Sequence, residues 1–387
     1  MGRHYLDVYG DATKSSRHHV DLSIQKYGKG DFEIFTEVKN GVKWFCRRYP
    51  GRTKYDKPTL KIDLTSSEVV GELLHGAVEI PDIINGEVVE EIFSSDANIT
   101  KPWKAIVIKD SSEKGSPISI ERAHRCNNIE ISGKTFQKWE NLETVDISIS
   151  AKIGNSAFAD CISLKSVLCP NDRSVSLGEE CFSNCGSLEF FSGIISSKIS
   201  TRCFFKCGKL RIIGRSHKSK SNECENCLTN CIGEEAFYGC NSLANVRIEG
   251  TRPYIGRSAF ENCTFLKKVE MVDVNEAMHI GPHLASGGRI CERAFYGCAS
   301  LNSVHLLSDV RVVCDSAFEG CPTDLAIHHD GDGFWFIGEK ALGPITAQLY
   351  PYEHYYDSPS GRIYTKNQIK NNPGTVVWKR KSLWENL

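Results

Sequence analysis

Ile153-Gly154-Asn155-Ser156-Ala157-Phe158-Ala159-Asp160-Cys161-Ile162-Ser163-Leu164-Lys165-Ser166-Val167 is the stretch on which the fold turns. Its frame, I-G-x-x-A-F-x-x-C-x-x-L-x-x-V-x-I, returns along the chain. It recurs at Leu177-Gly178 with Phe182, Cys185 and Leu188, and at Ile199 with Phe204, Cys207, Leu210 and Ile213. Further copies centre on Phe237/Cys240, Phe260/Cys263, Phe295/Cys298 and Phe318/Cys321, the last breaking at Asp324 where Leu belongs. Upstream, Ile131, Phe136, Trp139, Leu142, Val145 and Ile147 keep the frame with Trp in the Cys slot. Downstream, Ile337-Gly338 and Ala341-Leu342 begin a copy that does not finish. Successive Phe positions stand 22, 24, 22, 33, 23, 35 and 23 residues apart.

In the L-x-x-V-x-I segment, apolar residues alternate as a half-buried strand requires. One such unit cannot bury its Phe, Leu, Val and Ile alone. Stacked units bury them against neighbours at about 4.8 Å spacing and build a parallel sheet. A period of about 22–24 residues with one short strand per copy lies in the leucine-rich-repeat range. The pattern resembles the BspA-like leucine-rich repeat family, in which A-F-x-x-C-x-x-L replaces the usual asparagine-bearing signature. The resemblance is clear over residues 129–342, with weaker echoes at Ile80-Pro81, Asn85-Gly86, Val88-Val89 and Ile92, then at Trp103, Ile106 and Ile108. It implies a leucine-rich-repeat solenoid with a parallel β-sheet, one short strand per coil and irregular or short helical returns. Family members are often bacterial or protist surface proteins that bind other proteins. The resemblance therefore implies a protein-binding scaffold, or a surface adhesin recognising a host protein or glycan.

Four regions follow: an N-terminal β-rich cap at 1–78, degenerate first repeats at 79–128, the repeats at 129–342 and a C-terminal cap or tail at 343–387. Val20–Tyr27, Phe32–Val38, Val42–Tyr49 and Thr59–Leu64 read as strands of the cap, with Asn40-Gly41 a hairpin turn. Tyr350, Tyr352, Tyr355, Tyr356, Trp378 and Trp384 are expected to cover the last coil. Lys379-Arg380-Lys381 reads as a solvated run.

The chain's 387 residues carry 47 Lys+Arg against 48 Asp+Glu, a net charge of -1, which excludes a wholesale polyanion binder. No stretch approaches the roughly 18 apolar residues of a membrane span. Met1–Tyr9 lacks the apolar core of a secretory signal, so the expected location is cytoplasmic, against the surface location the resemblance implies. No nucleophile–base spacing, phosphate-cradling glycine loop or HExxH motif points to an enzyme. His328-His329-Asp330 and Asp332 read as a polar turn rather than a calcium loop.

Of the seventeen cysteines, seven fill the F-x-x-C slot. Cys181 and Cys203 replace Ala before Phe, while Cys291 and Cys314 replace the Gly after Ile or Val. Cys at such positions acts as a small hydrophobe. Two coils are too long, with extra residues between Ile213 and Ile232 and between Met271 and Ile290. Insertions of this kind leave a solenoid as loops on one edge. The first holds Cys224-x-x-Cys227 followed by Cys231, a spacing that suits a structural zinc with His217 as a fourth ligand, and Lys206, Lys209, Arg211, Arg215, Lys218 and Lys220 lead into it. That loop is the alternative functional site, binding nucleic acid or sensing redox state; the second loop carries His279 and His283. The residues flanking the buried Val of each coil should face solvent: Thr144/Asp146, Ser166/Leu168, Phe190/Ser192, Ile212/Gly214, Asn245/Arg247, Lys268/Glu270 and Ser303/His305. Leu168, Phe190 and Ile212 are expected to form an apolar patch rimmed by charge, the layout of a protein interface. The reading is a non-enzymatic scaffold for another protein, with nucleic acid a lesser prospect and oligomeric state left open.

Overall fold

The computed structural model describes residues 32–50, 58–73, 76–96, 98–108, 128–169, 174–195, 198–214, 227–273, 287–330, 336–342, 354–357 and 362–365. Strands β1 (Glu33–Lys39), β2 (Val42–Tyr49) and β3 (Thr59–Val69) form an antiparallel meander. Asn40 and Gly41 turn β1 into β2 with φ of 54° and 75°, the left-handed pair that a two-residue hairpin loop needs. The strand read at Thr59–Leu64 runs on to Val69, and Val20–Tyr27 lies outside the described residues. β3 then pairs in parallel with Glu87–Phe93, which joins the meander to the solenoid as an extension of its sheet.

Beyond this junction the chain winds in coils, and each full coil carries two short strands rather than the one expected. The first ladder runs Val78–Ile80, Ala105–Ile108, Thr144–Ile147, Ser166–Leu168, Phe190–Ser192 and Ile212–Ile213, all parallel. The second runs Glu87–Phe93, Ile129–Ile131, Ala151–Ile153, Ser174–Leu177 and Ile194–Ile195, also parallel. The cause is the short run that precedes each I-G. Ala151 and Ile153 are buried and Lys152 is exposed, so this run alternates like a strand too. No α-helix occurs among the described residues; the returns are irregular turns. The strands at the weak echoes before residue 129 enter both ladders, Val78–Ile80 pairing with Ala105–Ile108 and Glu87–Phe93 with Ile129–Ile131.

Between the ladders, the A-F-x-x-C segment makes turns that hydrogen-bond from coil to coil. Ser156, Phe158 and Asp160 donate their amides to the carbonyls of Glu179, Cys181 and Ser183, each at 2.8 Å. Two left-handed residues per coil make this possible, such as Ser156 (φ 55°) and Asp160 (φ 61°). Later coils put Gly239, Gly297 and Gly320 at the second of these places, where glycine adopts positive φ without strain.

One continuous core extends from Phe35 to Leu342. Its spine is a file of phenylalanines: Phe136, Phe158, Phe182, Phe204, Phe237, Phe260, Phe295 and Phe318. Neighbouring centroids lie 4.7 to 5.5 Å apart with planes tilted by only 3° to 9°. Since carbon faces touch at about 3.5–4.0 Å, these rings are slipped sideways, the offset arrangement that aromatic quadrupoles favour. Towards the cap the file continues edge-on through Trp139, Trp103 and Trp44.

The cysteine slot does more than fill space. Cys161 donates its thiol to the Phe136 carbonyl of the preceding coil at 3.0 Å. Cys185, Cys207, Cys240, Cys263, Cys298 and Cys321 repeat the bond to the next Phe carbonyls at 3.1 to 3.2 Å. Trp139, in the same slot, donates its indole N–H to the Ile99 carbonyl at 3.0 Å. A residue that is apolar yet carries one donor satisfies both demands of the site. Burial pushes Cys161 and Cys263 up to about 12, so these thiols stay protonated and unreactive.

Candidate protein interface

The outer face of the first ladder is where the coils present side chains to solvent in register. Thr144, Ser166, Phe190 and Ile212 stack as one column, and Asp146, Leu168 and Ser192 as the next. The expected apolar trio is thus split. Phe190 and Ile212 share a column, whereas Leu168 lies in the neighbouring one, one coil away and diagonal to Phe190. Leu168 is 46% exposed; Phe190 and Ile212 are half-buried. The Arg211 guanidinium lies 5.0 Å from the centre of the Phe190 ring and covers part of it.

A column of alternating charge borders these residues. Lys104, Glu143 and Lys165 sit on successive coils, with ion pairs of 3.9 Å and 2.6 Å; Glu189 and Arg211 follow, paired at 2.5 Å. Lys165, then Lys104, holds the Glu143 carboxyl below its ordinary range. All these side chains are at least one-third exposed, so the pairs set local polarity more than stability.

The first ladder breaks after Ile213. The chain leaves at Gly214 (φ 67°) for the first insertion and returns as Cys227–Ile232. Cys227–Thr229 pairs with Arg247–Glu249, and the hydrogen-bonded ladder resumes as a separate sheet. The core does not break: Phe204 and Phe237 remain stacked at 5.4 Å, and Ser242 donates to the Gly208 carbonyl at 2.8 Å. Beyond the break the face is polar. Asn245, Lys268 and Ser303 form one column, Arg247, Glu270, His305 and His328 the other. Arg247 pairs with Glu249, Lys268 with Glu270, and His305 with Asp330 at 2.7 Å. Ala326–His329 is a strand of this ladder, not the polar turn expected. Leu325, buried one residue later than the frame predicts, keeps the coil's leucine.

The two insertions leave the first ladder after Ile213 and after Val272, with one coil between them, as their positions in the repeat predicted. His217 and Cys224 lie outside the described residues, as do His279 and His283. Cys231 does not stand in a loop: it belongs to Cys227–Ile232 and pairs with Tyr254 in the second ladder. Among the described residues no three His, Cys, Asp or Glu side chains are grouped to hold a metal ion. No helix among them is long and apolar enough to cross a membrane.

Stacked parallel coils, a buried Phe file and an outward-facing ladder define a leucine-rich-repeat solenoid. Six copies of the BspA type leucine rich repeat region match at residues 129–231, 218–280 and 283–329, and the chain belongs to that family. No curated protein matches it in sequence. Among solved structures it is similar to a leucine rich cell surface protein from Faecalibacterium prausnitzii A2-165, with 17% identity, 76% of this chain and 95% of that one covered, and a TM-score of 0.23. A leucine-rich repeat protein from Bacteroides ovatus ATCC 8483 has 21% identity, coverage of 75% and 81%, and a TM-score of 0.25. The pneumococcal vaccine antigen PcpA has 14% identity, coverage of 78% and 84%, and a TM-score of 0.26.

Proposed function

We propose that the protein is a non-enzymatic scaffold that binds another protein through the outer face of its first ladder. The observation that carries this reading is the in-register display on that face: Leu168, Phe190 and Ile212 over three consecutive coils, flanked by an alternating charge column and continued by Asn245, Arg247, Lys268 and Glu270. Apolar anchors within a polar rim concentrate binding energy, and the rim sets orientation. A rigid parallel ladder also holds its side chains at fixed spacing, which lowers the ordering cost of association.

The test is affinity capture from native lysate with wild type and the Phe190→Asp, Ile212→Asp double variant, followed by reconstitution with the purified partner. A partner that binds wild type and not a still-folded variant supports the reading; one that ignores both changes refutes it. Zinc content of the reduced full chain separates this reading from a metal-clipped loop. Stoichiometric zinc lost in Cys224→Ser, together with unchanged capture by the double variant, would favour the loop. Cell fractionation decides between the cytoplasmic scaffold and a surface adhesin using the same face.

A further inference from the structure

The second ladder carries, just past the end of its strands, a feature that the binding reading does not use. After each inward Ile or Val of this ladder comes a slot filled by Gly233, Gly256, Cys291, Cys314 and Gly338 on successive coils. Glycine suits the slot because a Cβ at Gly256 would approach the Gly233 carbonyl carbon to 2.5 Å. Ser200, in the same slot earlier, turns its hydroxyl onto the Leu177 carbonyl of the preceding coil at 2.7 Å. Cys291 and Cys314 therefore stand one register step apart. Their amides bond to the Ile255 and Ile290 carbonyls at 2.8 Å, so their Cα atoms share the strand spacing of about 4.8 Å. That separation is within the range a disulfide spans.

Their surroundings differ from those of every F-x-x-C thiol. Cys314 is half-buried, Cys291 keeps 9% of its surface, and Tyr254 beside them is 46% exposed. The neighbouring Cys314 thiol favours the Cys291 thiolate and outweighs the burial that opposes ionisation; the Tyr254 hydroxyl acts in the same direction, and Arg289 adds positive charge against Glu234. These groups hold Cys291 down to about 7, while Cys314, beside Asp315, is raised, chiefly by Cys291. The pair releases its first proton readily and keeps its second. Cys291, then burial, pushes Tyr254 up to about 12, so its hydroxyl stays protonated.

We propose that Cys291 and Cys314 form a thiol-exchange site for low-molecular-weight disulfides, with Cys291 the attacking sulfur and Cys314 the resolving one. The Cys291 thiolate attacks one sulfur of the disulfide; the S–S bond breaks, a mixed disulfide forms and the other half leaves as thiolate. That thiolate takes the Cys314 proton. The Cys314 thiolate then attacks the Cys291 sulfur and expels the second half. The protein dithiol loses two electrons, the external disulfide gains them as two thiols, and two adjacent coils become cross-linked.

The test uses the reduced full chain, oxidised glutathione as probe, alkylation quench and peptide mapping. Wild type should yield a Cys291–Cys314 disulfide without a lasting glutathione adduct. Cys314→Ser should hold the adduct on Cys291, and Cys291→Ser should leave Cys314 unmodified over the same interval. The rate of Cys291 alkylation should reach half-maximum near pH 7, and Tyr254→Phe should move that midpoint upward. Modification of Cys291 no faster than of Cys240 and Cys263, or a lasting adduct on wild type, would overturn the proposal. Should a serine variant fail to fold, the wild-type pH profile decides alone: a midpoint near 9, that of an ordinary thiol, refutes it.

Discussion

Removing one ring from the middle of the phenylalanine file should cost more than removing one from its end. Phe237 is fully buried and stacks on Phe204 at 5.4 Å and Phe260 at 5.0 Å, whereas Phe318 has one ring neighbour in the file, Phe295 at 5.1 Å. Phe→Ala in a core costs about 3–5 kcal/mol, set by lost transfer energy and by the cavity left behind. One aromatic pair contributes about 0.5–1.5 kcal/mol beyond area. The turns either side of Phe237 are locked by coil-to-coil bonds, Phe204 N to Ala236 O and Phe237 N to Ala259 O, so the cavity cannot collapse. Phe237→Ala should therefore lie near 5 kcal/mol and Phe318→Ala about 1 kcal/mol lower. Guanidinium denaturation of both variants beside wild type measures the difference. Equal losses, or a loss below about 1 kcal/mol at Phe237, would refute the stacked-file account.

Three further outcomes follow from the same packing. Burial pushes Cys46, Cys161, Cys169, Cys263 and Cys321 up to about 12. Above about pH 9 the unfolded chain ionises these thiols and the folded chain does not, so each removes up to ~1.4 kcal/mol of stability per pH unit until the folded thiol itself ionises. Denaturation midpoints in reductant should therefore fall from pH 8 to pH 10, less steeply in Cys263→Ala; equal midpoints contradict this. Gly256→Ala should cost about 1–3 kcal/mol by overpacking, because its Cβ meets the Gly233 backbone, whereas Gly186→Ala, with nothing within 4 Å, should be near neutral by thermal melt. Trp139→Phe should cost about 1–3 kcal/mol, since the Ile99 carbonyl loses its indole donor; an unchanged melt would show that bond to be dispensable.

The coil was legible because Phe158, Cys161, Leu164 and Val167 all face one core, and burial imposes its period on the sequence. The second strand was harder to see. Ala151-Lys152-Ile153 and Ser174–Leu177 alternate over only three or four residues, too few to stand out from loop sequence. The outward columns followed from the frame by counting, since register fixes which residues lie side by side. What counting could not supply was Arg211 lying over Phe190, which depends on a side-chain choice rather than a backbone position. Cys231 shows a related limit: its spacing from Cys227 is a property of the chain, and the strand register that pairs it with Tyr254 is a property of the stack. The thiol donors of the F-x-x-C slot were missed although a signal existed. Trp139, the exception in that slot, is also an apolar residue with a single N–H donor.

Side-chain footprinting tests the central claim most directly. Hydroxyl radicals generated with and without the purified partner report solvent access at Leu168, Phe190 and Ile212, with Tyr254 and Phe265 as exposed references off the first ladder's outer columns. Binding through that face predicts protection of the first three and unchanged oxidation of Tyr254 and Phe265. Protection at Tyr254 with Leu168, Phe190 and Ile212 left open would place the partner on the second ladder and contradict the account.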